Sequence, residues 1–357
     1  MRLGLVGLPF SGKTTVFNAV SGAHGEVGTY HHTHDINHAV VHVPDPRLRR
    51  LAEIGHPRSV RPATITYYDV PGVMAEPGSN EYLQRLADLR ETDALVHVVR
   101  YFECGSVPHP RGSLDPLRDA AELQDELLIA DLDIVERRLE RLAKSAKRPD
   151  SRSEEQRKEG ELLEACRRTL DAGKPLSEVE LIERDKAQLR HFAFLTMKPT
   201  MHVLNVGEDR LSDRGAQKIA EALPGETLVM CGELEMEIGE LDETDRQEFV
   251  DGLGIGEPGS SRLIRTSYRL LGLRSFFTGI DDDLRAWTLS AGDDAVTAAG
   301  KVHSDMARGF IRAEVTHYTD LVKAGSVKAA REAGKVRLEG RDYKIRDGDV
   351  VTFRFHV

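Results

Sequence analysis

The chain has 357 residues, 40% hydrophobic and 30% charged, a composition that excludes collagen-like, mucin-like and wholly disordered chains. Its 49 Lys and Arg against 59 Asp and Glu give a formal net charge of −10, so the total charge advertises no nucleic-acid partner. Three widely spaced cysteines exclude a disulfide framework and a CxxC metal pair, and no segment reaches the ~18 apolar residues of a membrane span, so a cytoplasmic protein is expected.

At ~150 residues per domain the length predicts two or three domains. From Arg2 to Tyr101 short apolar runs (Leu3 to Val6, Ala39 to Val43, Thr64 to Tyr68, Ala94 to Val99) alternate with glycine or polar turns, the pattern of buried strands between helices in an α/β sheet. The first run leads into Gly7-Leu8-Pro9-Phe10-Ser11-Gly12-Lys13-Thr14, which matches GxxxxGK[ST] between a predicted strand and a predicted helix. Glycines let successive N–H groups curl into an anion nest, and the following helix adds its positive end. Lys13 is expected to reach the β- and γ-phosphates and the Thr14 hydroxyl to ligate Mg²⁺.

Between Thr29 and His38 the chain reads TYHHTHDINH, with His42 beyond it. These histidines lack a clean two-His-plus-carboxylate spacing, so a polar first-switch loop is expected rather than a transition-metal site, with Thr33 as the residue to close on Mg²⁺. Asp69-Val70-Pro71-Gly72 follows the third run as a Walker-B aspartate should; Asp69 would hold Mg²⁺ and the Gly72 N–H would sense the γ-phosphate. Val73 stands where switch NTPases often carry the glutamine that orients the attacking water.

From Leu117 to Leu170 charged helix formers replace the strand signals. Leu128, Leu132, Val135, Leu139 and Leu142 form a stripe at spacings of four and three that Leu163, Cys166 and Leu170 resume, which predicts an antiparallel coiled coil with its tip at Lys147 to Ser153. Strands return at Thr200 to Leu204 and Thr227 to Cys231, so the helical stretch reads as an insertion. Asn205-Val206-Gly207-Glu208 occupies the place of a guanine-specific NKxD. An aspartate there would pair with guanine's N1–H and 2-amino group; with Val206 and Glu208 instead, Asn205 and backbone groups are expected to read adenine, favouring ATP over GTP. The runs Ala286 to Leu289, Phe310 to Val315, Lys335 to Leu338 and Val350 to Phe355 predict a small terminal α+β unit.

These residues, together with RETDALVHVVR (90–100), FLTMKPTMHVLNVGED (194–209), EPGSSRLIR (257–265) and a C-terminus containing AAGKVHSDMARGFIRAEV and GDVVTFRFHV, resemble the YchF/Obg-like ATPases over nearly the whole chain. The resemblance implies a Ras-like P-loop NTPase domain (residues 1–116 and 191–274), an inserted helical coiled-coil domain (117–190) and a C-terminal TGS domain of β-grasp, ubiquitin-like type (275–357). It implies weak ATP hydrolysis and ribosome binding, phosphate contacts from Gly7 through Thr15, base-pocket contacts from Asn205, Val206, Cys231, Gly232 and Glu233, and a catalytic role for His109 in SVPHPRG. Phe10 and Ser11 depart from the family's GxPNVGKST, which puts potassium activation in doubt, and both switch segments diverge.

Local charge restores an RNA partner. From Lys301 to Arg346 there are eleven basic and six acidic residues, the footprint expected for contact with rRNA backbone, whereas no DNA partner is expected. The competing readings are a GTPase of ribosome assembly on the same fold, a P-loop kinase, for whose acceptor pocket and lid arginines there is no sequence signal, and a scaffold that uses nucleotide only for stability.

Overall fold

The structure, a computed structural model, describes residues 1–24, 31–33, 36–72, 78–145, 154–253 and 255–356. In chain order its main elements are β1 (Arg2–Val6), α1 (Lys13–His24), β2 (His31–Thr33), β3 (Ile36–His42), α2 (Pro46–Gly55), β4 (Ser59–Arg61), β5 (Thr64–Asp69), α3 (Asn80–Arg90), β6 (Ala94–Tyr101), α4 (Pro116–Ser145), α5 (Glu154–Asp171), α6 (Glu183–Leu189), β7 (Thr200–Val206), α7 (Arg214–Ala222), β8 (Thr227–Met230), α8 (Gly232–Glu240), α9 (Glu243–Leu253) and α10 (Gly259–Leu270). They continue with β9 (Leu273–Thr278), β10 (Asp283–Ser290), α11 (Ala295–Val302), α12 (Ser304–Arg308), β11 (Phe310–His317), α13 (Tyr318–Ala324), α14 (Val327–Glu332), β12 (Arg337–Glu339) and β13 (Asp349–Phe355).

The first compact unit comprises residues 1–23, 29–39 and 66–260. Its sheet runs β2-β3-β5-β1-β6-β7-β8, with β5, β1, β6, β7 and β8 parallel. The apolar runs are continuous because both faces are covered: Leu3 and Leu5 of β1 and Val96 and Val98 of β6 are fully buried on one face, and Val6 and Leu95 are buried on the other with Leu86 and Leu89 of α3. In such a sheet ligands bind beyond the carboxyl ends of the strands, and the P-loop, Asp69, Asn205 and Cys231 all lie at those ends.

The 4,3 stripe forms the seam of the helical arm. Leu128, Val135 and Leu142 of α4 share one buried cluster with Leu163, Cys166 and Leu170 of α5, and Leu132 and Leu139 are half-buried at its edge. The tip read at Lys147 to Ser153 lies outside the described residues. Arg138 and Glu159 bridge the two helices through two hydrogen bonds of 2.8 Å. At the root of the arm Asp131, fully buried, accepts from Arg90 (2.7 Å), from the Leu195 and Thr196 N–H groups (3.0 and 2.8 Å) and from the Thr196 hydroxyl (2.8 Å). The arm is thereby anchored to two stretches the sequence marks, RETD and FLTM.

The second unit takes in residues 24–28, 40–65 and 261–357. Its sheet runs β12-β11-β13-β9-β10-β4; β9 and β10 form an antiparallel hairpin, and β13 lies parallel to β9 with Val350 opposite Phe277. Ala295, Ala298 and Ala299 of α11 bury their small side chains in the core with Phe276, Phe310 and Phe353, which gives a β-grasp fold. α2 and β4, read in the sequence with the P-loop domain, belong here. β4 pairs with β10 (Ser59 opposite Asp283), and Arg47 of α2 binds Asp347 at 2.8 Å. Gly55 has to be glycine, because a Cβ there would sit 2.0 Å from the Ile280 carbonyl oxygen. Among the described residues no helix is long and apolar enough to cross a membrane.

Candidate nucleotide-binding site

The P-loop is shaped by where its carbonyl oxygens go. Lys13 Nζ donates to Gly7 O and Leu8 O (3.1 and 3.0 Å), Arg100 Nη1 to Phe10 O (3.3 Å), Asn205 Nδ2 to Ser11 O (3.1 Å) and the Val16 N–H to Gly12 O (2.9 Å). With these carbonyls turned toward protein donors, and the Ser11 N–H donating to Leu8 O at 3.3 Å, the loop's other N–H groups are oriented for an anion. Two glycines are dictated by space. At Gly7 a Cβ would lie 2.4 Å from Val98 O, and at Gly12, where φ is +86°, it would lie 2.2 Å from Asn205 Nδ2. Phe10 also takes the left-handed region, at φ 64°, and is 61% exposed.

Lys13 is 8% exposed, and burial pushes its ammonium down to about 8, against the attraction of Asp69 and with the help of Arg85's repulsion. Thr14 Oγ1 donates to Asp69 Oδ2 at 2.8 Å. Burial pushes the Asp69 carboxyl up, opposed by that hydrogen bond and by Lys13. A hydroxyl and a carboxylate in contact, both hard oxygen donors and the second short of solvation, suit Mg²⁺. Thr33 ends β2, but its side chain lies outside the described ones, as does Val73. Gly72 packs against the P-loop, and a Cβ on it would come within 3.2 Å of Pro9 N and 3.3 Å of Lys13 Nζ.

Three of the residues expected around the base carry structural contacts as well. Asn205 has a structural part besides any contact with a base: its Nδ2 donates to Ser11 O and its Oδ1 accepts from the Gly232 N–H at 3.0 Å, so it struts the P-loop against the start of α8. The Val206 side chain is buried in the cluster of Leu204, Ala216 and Val229, which leaves only its backbone for adenine. Cys231 is buried in that same cluster, and burial raises its thiol. Glu208 and Glu233 are exposed at the ends of the strands, where a base would be read.

His109 is engaged at both nitrogens. Nδ1 accepts from the Arg111 N–H at 3.1 Å, so Nε2 carries the proton and donates it to Asp119 Oδ2 at 2.8 Å. Asp119, 3% exposed at the head of α4, is also held by Arg118 at 2.8 Å. Sequence reasoning missed Asp119, Arg85, Phe102 and Arg100. Arg100 stood in view only as the last letter of RETDALVHVVR. Buried on β6, it donates to the Phe10, Phe102 and Val107 carbonyls, tying the P-loop to the loop that carries His109, and its guanidinium stacks 4.6 Å from the Phe102 ring.

Residues 2–136 match the family described as 50S ribosome-binding GTPase, and residues 273–356 match the YchF-GTPase C-terminal family, described as a protein of unknown function (DUF933). The chain is 40% identical to the ribosome-binding ATPase YchF of Bacillus subtilis over 367 residues, covering 100% of both chains. It is 41% identical to that of Haemophilus influenzae over 363 residues, covering 100% of this chain and 99% of the other. The solved structure of the Schizosaccharomyces pombe YchF GTPase superposes with a TM-score of 0.88 at 30% identity, covering 99% of this chain and 97% of that one. A P-loop domain carrying a helical arm, a terminal β-grasp unit and this likeness along the full length place the chain in the YchF family.

Proposed function

We propose that the chain is a cytoplasmic, ribosome-associated nucleoside triphosphatase that binds ATP in preference to GTP, hydrolyses it slowly and works as a conformational switch in translation or its stress regulation. The observation that carries the nucleotide reading is the P-loop with its carbonyls tied back, Lys13 buried beside it and Thr14 in contact with Asp69. In this reading Lys13 exchanges the Gly7 and Leu8 carbonyls for phosphate oxygens, whose negative charge favours its ammonium form. Mg²⁺, held by the Thr14 hydroxyl and the Asp69 carboxylate, would supply charge neutralisation at the phosphates. His109 serves as a base only after Nδ1, the nitrogen that carries the lone pair, gives up the Arg111 N–H, and with the glutamine position occupied by Val73 a low intrinsic rate follows.

ATP preference rests on Glu208, the exposed carboxylate in place of the NKxD aspartate, and on base contacts drawn from the backbone of 206–208 and from Cys231, Gly232 and Glu233. Calorimetric titration is expected to show ATP bound at least about tenfold tighter than GTP, a difference of roughly 1.4 kcal/mol. GTP preferred would overturn the assignment and favour the GTPase reading, the activity for which the S. pombe relative is named. Ribosome partnership is supported by the names of the relatives and by the basic terminal unit. That unit's charge is partly spent internally: Arg331 pairs with Glu314, Arg308 with Asp305, Lys335 with Asp320, Arg337 with Glu339 and Lys344 with Asp294. Co-sedimentation with ribosomes in ATP, ADP or a non-hydrolysable ATP analogue tests the partnership; pelleting indifferent to nucleotide refutes a switch.

A further inference from the structure

With Val73 in the glutamine position, something else has to organise the γ-phosphate end of the site. Gly72, the residue whose N–H is expected to meet that phosphate, has no Cβ to limit its rotation, so its orientation has to be fixed from outside. Arg85 does this. From the middle of α3 its Nη1 donates to the Gly72 carbonyl oxygen while Nη2 binds Glu81 one turn earlier on the same helix. The Arg85 side chain is 18% exposed, well inside the range where a charged hydrogen bond is only weakly screened. Gly72 in turn lies against Pro9, Gly7 O and the Lys13 ammonium, so two fixed cations converge on one end of the P-loop.

We infer that Arg85 is the chain's own positioning arginine for the γ-phosphate: it fixes the Gly72 turn against the P-loop and sets a second cation beside Lys13 where the terminal phosphate's charge falls. A helix-surface pair of Arg85 with Glu81 alone would contribute little and would be indifferent to which nucleotide is bound. A positioning arginine instead distinguishes a triphosphate from a diphosphate. The inference rests on the nucleoside triphosphatase reading.

The test uses the full chain with Mg²⁺ and compares wild type, Arg85→Ala and Arg85→Lys for ADP affinity, affinity for a non-hydrolysable ATP analogue, and steady-state kcat and KM. Arg85→Ala is expected to lose about tenfold or more in analogue affinity and in kcat, the size of one charge-assisted hydrogen bond, with ADP affinity within about twofold of wild type. Arg85→Lys, which keeps the charge but cannot hold Gly72 and Glu81 together, falls between. An unchanged analogue-to-ADP ratio and unchanged kcat in Arg85→Ala overturn the inference, and so does an equal loss for both nucleotides. Should Arg85→Ala not fold, the same ratio is read from Arg85→Lys. Wild type that binds neither nucleotide refutes the triphosphatase reading itself, a result separable from the others.

Discussion

His202 sits on β7 directly opposite His97 on β6, with the two rings 5.1 Å apart inside the P-loop sheet. Burial pushes His202 down to about 4 from its ordinary 6.5, opposed by a hydrogen bond with the Pro224 backbone, and burial pushes His97 well down too, helped by His202 and Lys13. Both imidazoles are thus neutral in the folded chain across a window where the unfolded chain would be protonated. The unfolded state binds the extra proton between pH 6.5 and 4, so the stability these groups lend is full above 6.5 and falls as pH drops toward 4. From pH 7.5 to 5.0 the loss from His202 alone is about 2 kcal/mol, taking about 1.4 kcal/mol per pH unit of unequal protonation. Urea unfolding followed by circular dichroism at both pH values, on wild type and His202→Leu, isolates that share, because background carboxylates titrate alike in both proteins. Wild type is expected to lose about 2 kcal/mol more than the variant. Equal losses would refute the claim that His202 stays neutral when folded.

Asp131→Asn should cost about 3–5 kcal/mol, because it removes the charge facing Arg90 deep in the root of the arm and replaces one acceptor oxygen by a donor; thermal melting checks it, and a shift under about 2 °C would refute the anchor. Asn205→Ala should weaken ATP and ADP by a similar factor, roughly tenfold, since the strut acts on the loop that both nucleotides share. A change confined to the choice between ATP and GTP would instead make Asn205 a base-reading residue.

Local pattern made the P-loop, the parallel strands and the helical seam legible, because each is carried by residues within a turn or two of one another. Leu128 to Leu142 announce their seam by spacing, and GxxxxGK[ST] announces its nest by glycines flanked by strand and helix. What escaped is carried by single contacts across large sequence separations. β4 is three residues long and pairs with a strand far along the chain, Ser59 opposite Asp283; nothing in Ser59-Val60-Arg61 states that partner. The role of Asn205 escaped for a related reason. Its side chain can serve a base or a backbone equally well, and its actual partners, Ser11 and Gly232, come close only in the folded sheet. Arg85 and Arg100 read as ordinary charges on a helix and a strand until the carbonyls they hold are known.

Those long-range ties account for how an unfavourable loop sequence keeps its shape. An aromatic residue in the left-handed region costs on the order of 1–2 kcal/mol, and Phe10 stands there without the glycine or asparagine that would relieve it. The cost persists because the surrounding structure over-determines the turn: Arg100 holds the Phe10 carbonyl and Asn205 the Ser11 carbonyl, each from a neighbouring strand. The loop is therefore set by the strands beside it before any nucleotide arrives, and binding need not be spent on folding it. What remains to be organised on binding lies on the other side of the site, where Lys13 must exchange two carbonyls for phosphate and Gly72 depends on a single arginine. In the proposed reading the nucleotide-sensitive element is accordingly the Asp69-to-Gly72 turn with α3, and the P-loop is its fixed reference.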